Sequence, residues 1–148
     1  MRRTLSAAAV LLAIAACSGD ERLTEESVAG TYSAIEANDH AVPGVVLELE
    51  ACEVHASSAQ LTLSANGTFE AAGTGEYRCP DGEGVSAAPY APQGSGFFEV
   101  ADPQITLSVM DPASASGILS GQISGDTIRV QGTGPEGNWH SIVFTRDP

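Results

Sequence analysis

The chain has 148 residues, nineteen acidic and six basic, giving a formal net charge of −13 with no lysine at all. A surface of that sign repels phosphate backbones and anionic headgroups, which excludes a nucleic-acid partner and electrostatic adhesion to a bilayer. A cationic protein, peptide or divalent ion is electrostatically permitted, and acidity of this kind also serves simple solubility.

The first stretch, MRRTLSAAAVLLAIAACSGD, sets Arg2 and Arg3 before an apolar run that stops at Ile14-Ala15-Ala16-Cys17. A basic segment, an apolar segment and small residues at a cleavage point define an export signal over residues 1–16. The apolar run is shorter than the roughly 20 residues a spanning helix needs. The ending Ile-Ala-Ala-Cys resembles the bacterial lipobox. That resemblance implies cleavage before Cys17, lipidation of its thiol, and a mature chain whose membrane partner is reached through the lipid. Two or more acyl chains, each methylene adding about 0.8 kcal/mol, hold a protein stably. Ser18 after the cysteine implies, by the proteobacterial lipoprotein pattern, a cell-envelope location at the outer membrane, facing the periplasm or the cell surface.

About 130 residues follow the signal, enough for one core and one domain, taken as 28–148. Residues 17–27 are the lipidated cysteine and a polar, acidic tether in which only Leu23 is apolar. Its alternative is a short helical turn packed under the first strand. With Cys17 lipidated, Cys52 and Cys79 form the single possible pair in an oxidising compartment, and neither neighbours a histidine or lysine that would activate it. A structural disulfide is expected.

From Val28 the texture is short β-type runs punctuated by turn residues. Gly30 to Ala37 is the first strand, ending at Asn38-Asp39. A second run, Val45 to Val54, alternates an apolar with a largely acidic face. Gln60 to Ser64 and Thr68 to Ala71 flank Asn66-Gly67, a hairpin signal in which both central residues take positive φ. That strand continues toward Tyr77 and Cys79, with Gly73 and Gly75 allowing a bend or bulge. Pro80 to Ser95, rich in proline, glycine and small residues, reads as a long exposed loop. Phe97 to Val100, Gln104 to Val109, Gly117 to Ile123, Thr127 to Gln131 and Trp139 to Arg146 supply the remaining strands, with a turn region at 111–116. No segment keeps a helical period. An all-β fold follows, an up-and-down antiparallel barrel of about eight strands or else a β-sandwich. Inward candidates are Leu61, Leu63, Phe69, Ile105, Leu107, Val109, Ile128, Val130, Ile142 and Phe144, which either fill the interior or line a cavity.

Gly30-Thr31-Tyr32 opening the first strand, the meander of hairpins, and Phe144-Thr145-Arg146 at the end resemble the lipocalin-like lipoproteins of bacteria. In lipocalins a Gly-x-Trp opens the first strand and an arginine near the last strand packs across the aromatic ring. Tyr32 and Arg146 are the matching pair here, with tyrosine in place of tryptophan. The resemblance implies an eight-stranded barrel whose mouth holds one small apolar ligand.

Catalytic motifs are missing from the chain. His40, His55 and His140 lie on separate segments without metal-ligand spacing, and Asp81-Gly82-Glu83-Gly84 lacks the regular oxygen ligands of a calcium loop. There is no nucleophile elbow, P-loop or dinucleotide fingerprint, so neither a catalytic residue nor a cofactor is assigned. Two functions stay open. One is a carrier or sensor of a small apolar ligand in the barrel mouth. The other is a protein-interaction module at the envelope surface, working through an acidic face and the 80–95 segment. There Tyr90, between Pro89 and Pro92, is either a rigid interface anchor or a cover over an open barrel end. Phe97 is the second candidate contact. Bacterial lysozyme inhibitors are also small acidic lipoprotein barrels, which makes a cationic enzyme one imaginable partner.

Overall fold

A computed structural model describes residues 22–81, 84–110, 117–133 and 139–148. The signal 1–16, Cys17 and the first tether residues therefore lie outside the described residues, as does the expected turn at 111–116. The chain forms one short helix, α1 (Glu25–Val28), followed by strands β1 (Gly30–Ala37), β2 (His40–Ala41), β3 (Gly44–Glu48) and β4 (Glu53–Leu63). Then come β5 (Thr68–Asp81), β6 (Gly84–Tyr90), β7 (Gln93–Ala101) and β8 (Gln104–Val109). The last three are β9 (Ile118–Ser124), β10 (Thr127–Thr133) and β11 (Trp139–Arg146).

Eight of these strands close an antiparallel barrel in the order β1-β4-β5-β7-β8-β9-β10-β11, and β11 returns to β1. Up-and-down closure is the architecture the strand count predicts, and the β1–β4 and β1–β11 pairings exclude the sandwich. Alternation places the core. Along β8, Ile105 and Leu107 are buried while Gln104 and Ser108 face out; along β10, Ile128 and Val130 are buried between exposed Arg129 and Gln131. Tyr32, Leu63, Ile105, Leu107, Ile128 and Val28 are the largest fully buried side chains. Of the ten predicted inward residues, eight are buried, and Val109 and Ile142 are half-buried near the mouth.

The two barrel ends differ. One is plugged by α1, so the helical turn is the observed alternative for the end of the tether. Thr24 and Ser27 form a capping box, and Val28 drops into the core. Glu25 accepts a hydrogen bond from the Val100 N–H at 3.2 Å, tying the helix to β7.

At the other end β4 and β5 outrun the barrel, and β3 and β6 flank them, making a four-stranded sheet that projects over the mouth. A bulge between Ala56 and Ser58, opposite Gly75, marks the bend. A Cβ at Gly75 would collide with the His55 carbonyl oxygen, so the glycine there serves close backbone approach. Cys52 and Cys79 are disulfide-bonded, joining the β3–β4 turn to β5 across a sequence separation of 27.

Three expectations are corrected. Val45 to Val54 is two strands, because Leu49 and Cys52 exchange backbone hydrogen bonds (2.7 and 3.4 Å) around Glu50-Ala51. A bulge between Val45 and Leu47 also breaks the alternation, so that Val46 is buried and both Val46 and Leu47 face the cavity. The Pro80–Ser95 segment is a strand pair, β6 on β5 and the start of β7, instead of a long loop. Small residues without alternation hid it, since an outer strand buries little and needs no apolar period. The Asn66-Gly67 hairpin forms, but only Gly67 takes positive φ (79°), and the Gly67 N–H donates to the Ser64 carbonyl. Asn66 instead accepts from the Thr68 N–H and hydroxyl, the side-chain turn that Asn favours. The two-residue turn with both φ positive occurs at Asn38 (50°) and Asp39 (64°).

Candidate functional site

The residues singled out at the chain's two ends meet at the plugged end of the barrel. Tyr32 and Arg146 are register partners on β1 and β11. The Arg146 guanidinium carbon lies 5.2 Å from the centre of the Tyr32 ring, and its Nη2 donates to the Tyr32 hydroxyl at 2.7 Å. The same Nη2 reaches the carbonyls of Ser27 (3.0 Å) and Ala29 (3.3 Å), while the Tyr32 hydroxyl donates to the Val28 carbonyl at 2.7 Å. Gly30 runs beneath the arginine with φ of 156°, and an added Cβ there would stand 3.5 Å from its Nε. This cluster fastens α1 to the barrel.

The opening is at the other end, between the projecting sheet and the rim. A cavity of about 360 Å³ lies there, within the range of roughly 300–1,000 Å³ that small-molecule sites occupy. Val46, Leu47, Leu49, Val54 and Tyr77 line it from the projecting sheet, and Ala34, Ala37, Ala59 and Ile142 line it from the barrel rim. Val42 and Pro92 complete the wall, and no lining residue is charged. Its polar side chains are largely engaged with each other or with backbone. Asn38 Nδ2 donates to the Val46 carbonyl at 3.0 Å and its Oδ1 accepts from the Ser141 N–H at 3.0 Å. The Ser58 and Thr74 hydroxyls share a hydrogen bond of 2.8 Å. The disulfide sits at the same edge, between Leu49 and Val54 on one strand pair and beyond Tyr77 on β5, so it holds the roof in place.

Below the mouth, a second, smaller void of about 100 Å³ runs among Leu61, Phe69, Leu107, Leu119, Val130 and Phe144, with Ile142 bordering both spaces. Gly132 lines it too, and a Cβ there would meet the end of the Leu119 side chain. A further groove on the outer barrel wall, lined by Gln60, Thr62, Glu70, Gln93 and Ser95, is open and polar, and offers no apolar enclosure.

The remaining predicted site residues fall elsewhere. Phe97 is 54 % exposed on the outer wall, registered between Thr68 and Ser108 near the plugged end, and it does not reach the mouth cavity. The Tyr90 backbone ends β6 opposite Gly75; its side chain lies outside the described residues. Cys17, proposed for lipidation, is likewise outside them. His40 is exposed, the His140 side chain is outside the described residues, and His55 joins Glu53 (3.1 Å) on the outer face of the projecting sheet. Among the described residues no group of three or more His, Cys, Asp or Glu is placed to hold a metal ion.

Of the residues that line the mouth cavity, the sequence candidates include only Ile142; among those missed are Asn38, Val54, Tyr77 and Pro92. They come from four separate elements, and only the overrun of β4 and β5 brings them together. The chain matches no family model, and neither a curated protein nor a solved structure matches it.

Proposed function

We propose that this protein is a lipid-anchored envelope protein whose barrel mouth binds one small, uncharged, apolar molecule. The observation that carries the reading is the uncharged cavity of about 360 Å³ beneath the disulfide-tied sheet, with a smaller apolar void across Ile142 from it. A void lined by aliphatic side chains stays dry and gains by filling with apolar matter. The lipid anchor rests on the Ile14-Ala15-Ala16-Cys17 motif, and the plug places the chain's N-terminal side at the end opposite the mouth.

The neutral fluorophore N-phenyl-1-naphthylamine tests the pocket. The protein is expected to enhance its fluorescence saturably at one site, and Ile142→Trp or Ala37→Phe to weaken that binding at least tenfold while circular dichroism is unchanged. No enhancement, or equal binding by both cavity-filling variants, contradicts the reading. Separately, Cys17→Ser is expected to abolish incorporation of labelled fatty acid in the producing bacterium; persisting label refutes the anchor.

A further inference from the structure

We infer that β6 is a docking edge for an extended, basic polypeptide segment, which joins the projecting sheet as an added strand. Barrel closure removes the free edges of the other β-strands of the barrel wall, but the projecting sheet keeps two, β3 and β6. Proteins blunt such edges with bulges, charged side chains, proline or very short strands. The β3 edge has its bulge at Val45/Leu47 and ends in Glu48. The β6 edge has no bulge and no charge, and its one proline, Pro89, lies next to the strand's end, so Gly84 to Ala88 all keep their backbone N–H groups. It pairs with β5 over seven consecutive positions, from Gly75↔Tyr90 to Asp81↔Gly84, without a register shift, and no charged residue occurs in Gly84–Tyr90. Among the described residues β5 is its only strand partner, and Ser86, Ala87, Ala88 and Pro89 are exposed. Small side chains leave the backbone of that edge open to approach. Main-chain pairing then supplies affinity, and alternate side chains supply selectivity.

Charge decides the occupant. The projecting sheet and its turns carry Glu48, Glu50, Glu53, Glu76 and Asp81 against the single arginine Arg78, on a chain of net charge −13. A second copy would bring like fields together, whereas a basic segment is drawn in. Register sets its pattern. One face of the sheet carries the rows Glu53–Arg78–Ala87 and His55–Glu76–Pro89, and the other carries Val54–Tyr77–Ala88. A segment alternating basic with apolar residues continues both faces, charged row on charged row and apolar row beside the cavity wall.

The test uses the whole mature chain and a fluorescein-labelled nonapeptide of alternating lysine and valine. Saturable anisotropy is expected, with a glutamate-for-lysine peptide at least tenfold weaker and Ala87→Lys reducing binding by a similar factor. N-methylation of either all lysines or all valines blocks one peptide edge each, so one of these two peptides loses binding and the other keeps it. Amide shifts of the protein are expected to centre on residues 84–90. The inference is overturned if both N-methylated peptides bind like the parent, or if the shifts centre on Glu48–Glu53. It is also overturned if the protein alone forms a concentration-dependent dimer through β6 that the peptide does not displace. These outcomes are independent of whether the mouth cavity binds the naphthylamine probe.

Discussion

Arg146 covers Tyr32: the last strand's guanidinium lies 5.2 Å above the first strand's ring and donates to its hydroxyl through both Nε (3.1 Å) and Nη2 (2.7 Å). The pair closes the barrel at its plugged end and holds the Ser27 and Ala29 carbonyls of the incoming chain. Tyr32→Phe removes a buried hydroxyl that both donates and accepts, and is expected to cost about 1–3 kcal/mol in urea unfolding. Arg146→Lys is expected to recover little relative to Arg146→Ala, because one ammonium cannot span a ring, a hydroxyl and two carbonyls in fork geometry.

The plug is expected to weaken in acid. The Glu25 carboxyl is held below its ordinary value of 4.5, first by its own backbone N–H and then by the Val100 N–H, against a small opposing effect of burial. A depressed folded value means the contribution is complete above the unfolded value and is lost as pH falls through the folded one. Glu25→Gln is therefore expected to unfold at lower urea than the wild type near neutral pH. The difference should shrink as the pH drops below the ordinary carboxylate range. A pH-independent difference would contradict the account.

Cys52 and Cys79 are expected to resist alkylation until a reductant is added. Closing a loop of this length stabilises a fold by about 3–4 kcal/mol in the chain-entropy model. The Cys52→Ser/Cys79→Ser double variant is expected to lose stability of that order. Because the bridge ties the roof beside Leu49 and Tyr77, it should also bind the naphthylamine probe more weakly than the parent.

Asn38 joins three elements at the rim: its backbone ends β1, its Oδ1 accepts from Ser141 on β11, and its Nδ2 donates to Val46 on β3. Asn38→Asp keeps the first side-chain bond and sets a carboxylate against the Val46 carbonyl in place of the second. Probe affinity is expected to fall several-fold, with a destabilisation of about 1–3 kcal/mol from the unsatisfied carbonyl. Unchanged affinity would mean that the roof does not depend on this tie.

Where one strand face is buried, period-two alternation marks the element directly. That is why β8 is bounded correctly by Gln104–Val109, while β1 (Gly30–Ala37) and β11 (Trp139–Arg146) are bounded by the turn residues and the chain end beside them. The Cys52–Cys79 pairing was legible for a different reason, being the single possibility once Cys17 is set aside. The projecting sheet was not legible. Its first hairpin turns on Glu50-Ala51, which carries no glycine, proline or asparagine to announce it, and β6 holds Gly84 and Pro89, which read as loop residues, around the exposed Ser86-Ala87-Ala88. The cavity was hidden as a consequence. Val54 and Tyr77 read as ordinary strand residues until β4 and β5 are seen to extend beyond the barrel and fold over its mouth.

Native mass spectrometry of the protein purified from the organism that produces it tests the central claim most directly. The account predicts a small-molecule adduct in one-to-one stoichiometry that is lost on denaturation and is diminished in Ile142→Trp. A clean apo mass for the parent, or an adduct that survives unchanged in Ile142→Trp, would contradict a ligand in the barrel mouth.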